Sequence, residues 1–205
     1  MKILFSFLIY SLSILVNKNV INENTIHLSE DIKIQQNHEN YASFKIDGAW
    51  EGSKNGTAIL RLHEGNERHF MTIEINDKQT TPDFILKFQI QSWDPIGLPS
   101  PGEYSLVQTS DPENGYSGGI GVTFTKILEY NGPNYYSNKA LEYKAPDSWK
   151  GTPQGKLIIE SIDENYITGK FEFLLWEHAS INKAPLTKEK ITISEGKFKA
   201  LIAKN

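Results

Sequence analysis

A chain of 205 residues, 39% hydrophobic and 22% charged, has the length and composition of one globular domain with a full core, not of a disordered or membrane-integral protein. Its net charge is −4, and only Arg61 and Arg68 among its 21 basic residues are arginines, so it offers no basic face for nucleic acid. It has no cysteine, which excludes disulfides, thiolate metal sites, a cysteine nucleophile and acylation at a lipobox cysteine.

Residues 1–16 read as a signal peptide. Lys2 supplies the charged start and residues 3–16 an apolar run. As a helix that run spans about 21 Å, short of the roughly 30 Å of bilayer hydrocarbon. The expectation is an exported protein of the periplasm, cell envelope or medium, with no membrane-spanning segment in the mature chain. Residues 17–40 are polar with scattered Ile and Leu and read as a linker. The domain is expected over residues 41–205.

Within it, Ala42, Phe44 and Ile46 alternate, and Asp47-Gly48 turns the chain toward Trp50. Residues 57–63 and 69–75 read as a hairpin around a five-residue loop containing Gly65. Residues 84–90 give another strand. The proline-rich residues 93–102 are loop, 103–108 strand, 109–119 turn-rich, and 120–130 a long strand rich in β-branched residues. A short strand is expected near residues 141–144.

The clearest pattern is residues 155–173. It reads as two strands joined at Asp163-Glu164-Asn165, with Ile167, Gly169, Phe171 and Phe173 on one face and Thr168, Lys170 and Glu172 on the other. Gly169 interrupts the apolar stripe, and the expected reason is room for a large neighbour such as Phe171 or Trp176. Residues 188–194 and 197–202 read as a closing hairpin around Glu195-Gly196. No helical apolar stripe follows the signal. The predicted fold is all-β, a single antiparallel β-sandwich or flattened barrel of about nine or ten strands.

Several segments in order carry a resemblance. They are Phe44-Lys45-Ile46-Asp47-Gly48-Ala49-Trp50, Pro101-Gly102-Glu103-Tyr104 and Gly155-Lys156-Leu157-Ile158-Ile159. They continue with Ile167-Thr168-Gly169-Lys170-Phe171-Glu172-Phe173, then Ile191-Thr192 with Gly196-Lys197-Phe198. Together they resemble a family of small exported bacterial β-domains of unknown function, often lipoproteins. The resemblance implies an exported β-domain. It implies no catalytic residue, ligand or cofactor, and the lipidated cysteine of many members is missing here.

Gly115-Tyr116-Ser117-Gly118-Gly119 matches G-x-S-x-G, but a proline-containing loop precedes it and a strand follows, where a hydrolase elbow needs strand then helix. It also resembles the G-D-S-G-G of trypsin-like proteases, with Tyr116 in place of the aspartate. A hydrolase using Ser117 and His63 is therefore the alternative reading. His63 and His69 flank a hairpin turn and, if they faced each other, would hold a metal with Glu64 or Glu67; solvated side chains are the favoured reading, and no metal or cofactor is expected. Residues 111–115 are acidic but lack the spacing of a calcium loop. Aromatic residues crowd the loop-rich middle of the chain. Trp93, Tyr116, Tyr136 and Trp149 are the candidate ligand contacts, against the simpler role of capping the core. The leading expectation is a non-catalytic binding or envelope-associated module for a glycan or protein ligand.

Overall fold

The computed structural model describes residues 40–64, 69–92, 97–107, 119–131, 138–146, 152–181 and 189–203. Ten strands run through them and none of these residues is helical. They are β1 (Tyr41–Gly48), β2 (Gly52–Glu64), β3 (His69–Asn76), β4 (Phe84–Ser92) and β5 (Gly102–Ser105). The others are β6 (Gly121–Glu129), β7 (Lys139–Lys144), β8 (Gln154–Ile162), β9 (Tyr166–Ile181) and β10 (Lys190–Ile202).

Eight strands close on themselves in the order β1-β2-β3-β4-β6-β7-β9-β10, and β8 and β5 extend from β9 as the two extra strands. Closure removes the free edges that an open sheet would have to protect. The seam is β1, which pairs antiparallel with both β10 and β2. Beyond the start of β1, the end of β10 meets β2 directly: Ala200, Leu201 and Ile202 lie parallel to Ala58, Ile59 and Leu60. Among the described residues this is the one parallel ladder between named strands, in an otherwise antiparallel wall.

The sixteen-residue β9 is the widest join. On one side β10 follows it from Tyr166 to Trp176. On the other side the wall divides: β7 pairs with the segment from Trp176 to Ile181, and β8 with the segment from Ile167 to Leu174. The β8–β9 turn is held by Asp163, whose carboxylate accepts the backbone N–H groups of Asn165 and Tyr166 at 2.8 and 2.7 Å. Those two hydrogen bonds favour the ionised form and lower the Asp163 pKa. On the far side of β8, β5 meets the approach to β6 at Leu106 and Ile120, so this half of the wall is joined as well.

Strand alternation aims one row of each strand inward, and those rows fill the barrel. Phe44, Phe84, Phe88, Phe124, Phe171, Phe173 and Phe198 are all buried. Phe171 has its ring centroid 4.8 Å from Phe88, 5.8 Å from Phe44, 6.0 Å from Phe173 and 6.2 Å from Phe198. An eight-stranded barrel is wide enough for side chains to fill, and here they do. The outward rows of β1, β9 and β10 carry Lys45, Lys170, Glu172 and Lys197. That is the reverse of the apolar exterior and polar interior of a membrane-spanning barrel.

Two expectations need correcting. The hairpin predicted at Glu195-Gly196 is absent, and β10 runs straight through it with a bulge. Between Ile193 and Gly196 it spends one residue more than β9 spends between Phe173 and Phe171, and β1 shows the same offset. Glu195 takes the extra position with φ of +54°. The inserted residue resets the alternation, so Ile191 and Ile193 before it and Phe198 and Ala200 after it all face the core. Gly169 does make room for a ring, but the ring is Phe198, not Phe171 or Trp176. A β-carbon at Gly169 would come within 2.7 Å of the Phe198 ring and would also strike the carbonyl oxygen of Ile158.

Phe171→Ala should destabilise the protein by about 3–5 kcal/mol, the usual result of emptying a buried aromatic site. Glu172→Ala, one residue on and outward-facing, should change stability by about 0.5 kcal/mol or less. Urea melts of the two variants check this, and equal losses would mean the inward face of β9 is misassigned.

Candidate functional site

Define the upper end of the barrel as the one where β1 stops at Gly48 and β2 starts at Gly52. The chain between them is pinned to the start of β10. Ala49 N–H donates to the carbonyl of Lys190 at 3.2 Å, and Gly48, at φ +108°, has no room for a β-carbon because that same carbonyl occupies the space. This places Trp50 across the end of the core. Its ring lies 5.6 Å from Phe124 and 6.3 Å from Phe84, both edge-on or tilted.

Two lysines reach the same indole. Lys54 stands opposite Phe44 on β2, in the row that continues through Ala58 and Leu60 to the core. Lys126 stands on β6 two residues past Phe124, opposite Phe84 on one side and Leu141 on the other. Both are therefore inward positions at the mouth. Lys54 Nζ lies 4.0 Å and Lys126 Nζ 5.2 Å from the Trp50 ring centre. Such cation–ring contacts are worth about 0.5–1 kcal/mol each in the open and more when desolvated. Burial pushes the Lys126 pKa down and the charge of Lys54 pushes it further, with Glu189 acting the other way.

Beneath the lysines lies an acidic counterpart. Glu177, buried on β9, stands opposite Tyr143 of β7, and its backbone N–H donates to the carbonyl of Glu189 at 2.9 Å. Burial of Tyr143, reinforced by the charges of Glu177 and Glu189, pushes its phenol pKa up to about 12. The rim thus sets two ammonium groups and an indole over a phenol and the buried carboxylate of Glu177. This combination can hold a ligand that has both acidic and hydroxyl groups.

Trp93, Tyr116, Tyr136 and Trp149, together with Ser117, lie outside the described residues. The strands on either side of them are described, however. β4 ends at Ser92, beside His69 at the lower end. β6 ends and β7 begins at Glu129 and Lys139, at the upper end. The connection bearing Trp93 is thus rooted at the opposite end from the one bearing Tyr136. His63 stands opposite Phe70 and His69 opposite Glu64, so the two imidazoles leave opposite faces of the hairpin and do not face each other. Among the described residues no three His, Asp or Glu side chains come together as a metal site.

Sequence reasoning passed over Trp50, Lys54 and Lys126 as site residues. A signal for Lys126 was present: Val122, Phe124 and Lys126 alternate, which puts a charge in an inward row. Comparison with protein-family models, curated proteins and solved structures finds no match to the chain.

The phenol gives a pH test. Tyrosine in the unfolded chain ionises near 10 and Tyr143 in the folded chain near 12, so between these values the unfolded state holds fewer protons. Stability should then fall as pH rises from 10 to 12, by roughly 2–3 kcal/mol from this group. Lys126 acts in the opposite sense below its normal pKa of 10.5, its contribution improving as pH rises and the ammonium is lost. Denaturant melts across this range should show a steeper alkaline fall for wild type than for Tyr143→Phe; parallel curves would contradict the assignment.

Proposed function

We propose that this chain is an exported, non-catalytic binding module of the cell envelope, which holds a glycan or protein ligand at the upper rim around Trp50. The observation that carries this reading is the contrast between the two parts of the barrel. The lumen is occupied by packed aromatic rings, while the upper mouth carries an indole and inward-facing charges drawn from several strands. Binding sites of barrels lie preferentially at such mouths, and indole and lysine together give contact area and hydrogen-bond donors. Tyr136 belongs to a connection rooted at the same rim and is a further ligand contact on this reading. Tyr116 and Trp149 stay candidate contacts from their residue type, and Trp93 does so only for a ligand that also reaches the lower end, where its connection is rooted. The order of motifs resembling small exported bacterial β-domains, and the charged-then-apolar first sixteen residues, support export.

Glycan-array and intrinsic-fluorescence measurements on wild type, Trp50→Ala and Lys126→Ala test the rim. Loss of one charge-assisted contact should weaken binding about tenfold while the circular dichroism spectrum is retained. Unchanged binding in both variants would move the site elsewhere. Turnover of a bound glycan or ester that Ser117→Ala abolishes would make the protein a hydrolase. Export is tested by N-terminal sequencing of the protein recovered from its host: it should begin after Val16, and a retained Met1 would contradict cleavage.

A further inference from the structure

A second surface lies on the outer wall, away from the lumen. The outward row across β10, β9, β8 and β5 reads Lys197, Lys170, Ile158 and Glu103, each directly opposite the next. The neighbouring row sets Glu172 of β9 against Lys156 of β8. Between these rows and the β10 bulge is a groove of about 200 Å³, lined by Lys156, Ile158, Lys170, Glu172, Glu195 and Lys197, with Phe171 and Gly196 at its floor. That is below the roughly 300–1,000 Å³ of a site for a drug-sized ligand, so it takes a single charged group with the ring that bears it.

Three features separate this groove from an ordinary solvated face. First, Lys197 and Lys170 stand directly opposite each other, an arrangement that disfavours the sheet. Lys170 is offset by Glu160, Lys156 by Glu103 at 3.1 Å, and Lys45 by Glu195 at 2.7 Å, but Lys197 has no ion pair among the described residues. Second, the β10 bulge lies at this point and brings Glu195 and Lys197 to the groove, and bulges are over-represented beside active sites. Third, Glu195 holds a left-handed backbone conformation that a non-glycine residue adopts only when its surroundings enforce it.

We propose that this groove binds the acidic group, carboxylate or sulfate, of a sugar residue in an acidic glycan, with Lys197 and Lys170 on the anion. Every strand beneath the groove is paired on both sides, β8 with β9 and β5, β9 with β8 and β10, β10 with β9 and β1. Among the described residues no strand edge is open at the groove itself for a peptide to add a strand, so recognition there runs through side chains. Glu172 and Glu195 accept sugar hydroxyls, and Ile158 with the lysine stems faces the C–H side of the ring. The ligand class rests on the binding-module reading, whereas the location does not, since the groove and the rim share no residue.

The test is a backbone-amide NMR titration of the whole protein with three probes: a galacturonate hexamer, a heparin-derived hexasaccharide and uncharged cellohexaose. At least one acidic probe should shift the amides of Lys170, Gly196 and Lys197, with cellohexaose leaving them in place, and the two acidic probes tell carboxylate from sulfate. Lys197→Glu should weaken that binding by about tenfold or more, and Lys197→Gln by less, with thermal melts confirming that both fold. Acidic-probe binding unaffected by Lys197→Glu, equal shifts with cellohexaose, or no shift with any probe would overturn the proposal. Shifts confined to Trp50, Lys54 and Lys126 would overturn the groove and leave the rim reading intact. Shifts confined to the groove would do the reverse.

Discussion

The contact on which the rest of this protein depends is the Phe171 ring in the middle of the lumen. It touches Phe44 of β1, Phe88 of β4, Phe173 of its own strand and Phe198 of β10, so it links walls that are not neighbours in the sheet. Aromatic pairs at these separations contribute about 0.5–1.5 kcal/mol each beyond the area they bury. The ring leaves no room beside it. A β-carbon at Gly196 would collide with its edge and with the Phe171 carbonyl oxygen, which is why the β10 bulge must present a glycine there. Ring, glycine and bulge form one constraint: they set the register of β10, and β10 in turn carries the seam with β1 and β2.

That constraint also decides where function can sit. Seven buried phenylalanines occupy the space that a ligand-carrying barrel keeps open. What remains is the rim and the outer wall. At the rim, inward positions no longer face a fully apolar interior, so Lys54, Lys126 and Glu177 can occupy them, with Trp50 closing the core below the solvent. On the outer wall, the bulge that brings Gly196 against Phe171 holds Glu195 in a left-handed conformation. It also helps shape the groove beside Lys170 and Lys197.

Much of the fold was legible because it is local. The alternation in residues 155–173, the Asp163 turn and the number of strands all follow from period-two patterning and turn chemistry. Residues 188–202 show the limit of that reasoning. Ile191 and Ile193 are out of phase with Phe198 and Ala200, and either a hairpin or a bulge produces that slip. Only pairing with β9 and β1, distant in sequence, selects the bulge. Barrel closure is illegible for the same reason, since it rests on β1 meeting β10 across the whole chain. β9 was read only as far as Phe173, yet it runs to Ile181 because β7 supplies a partner that no local pattern announces. The site was less legible than the fold. Aromatic residues in loops drew attention, whereas the rim is built from a tryptophan in a tight β1–β2 connection and two lysines whose inward aim depends on strand parity.

The central claim is that the lumen is filled. Xenon titration, followed through the methyl shifts of Leu60, Ile73 and Ile193, measures this directly, because a dry apolar cavity of sufficient size binds xenon. The account predicts no saturable shift in wild type, and a saturable one in folded Phe171→Ala, where the central ring is gone. Saturable xenon binding at those methyls in the wild-type protein would show an open interior and contradict the account.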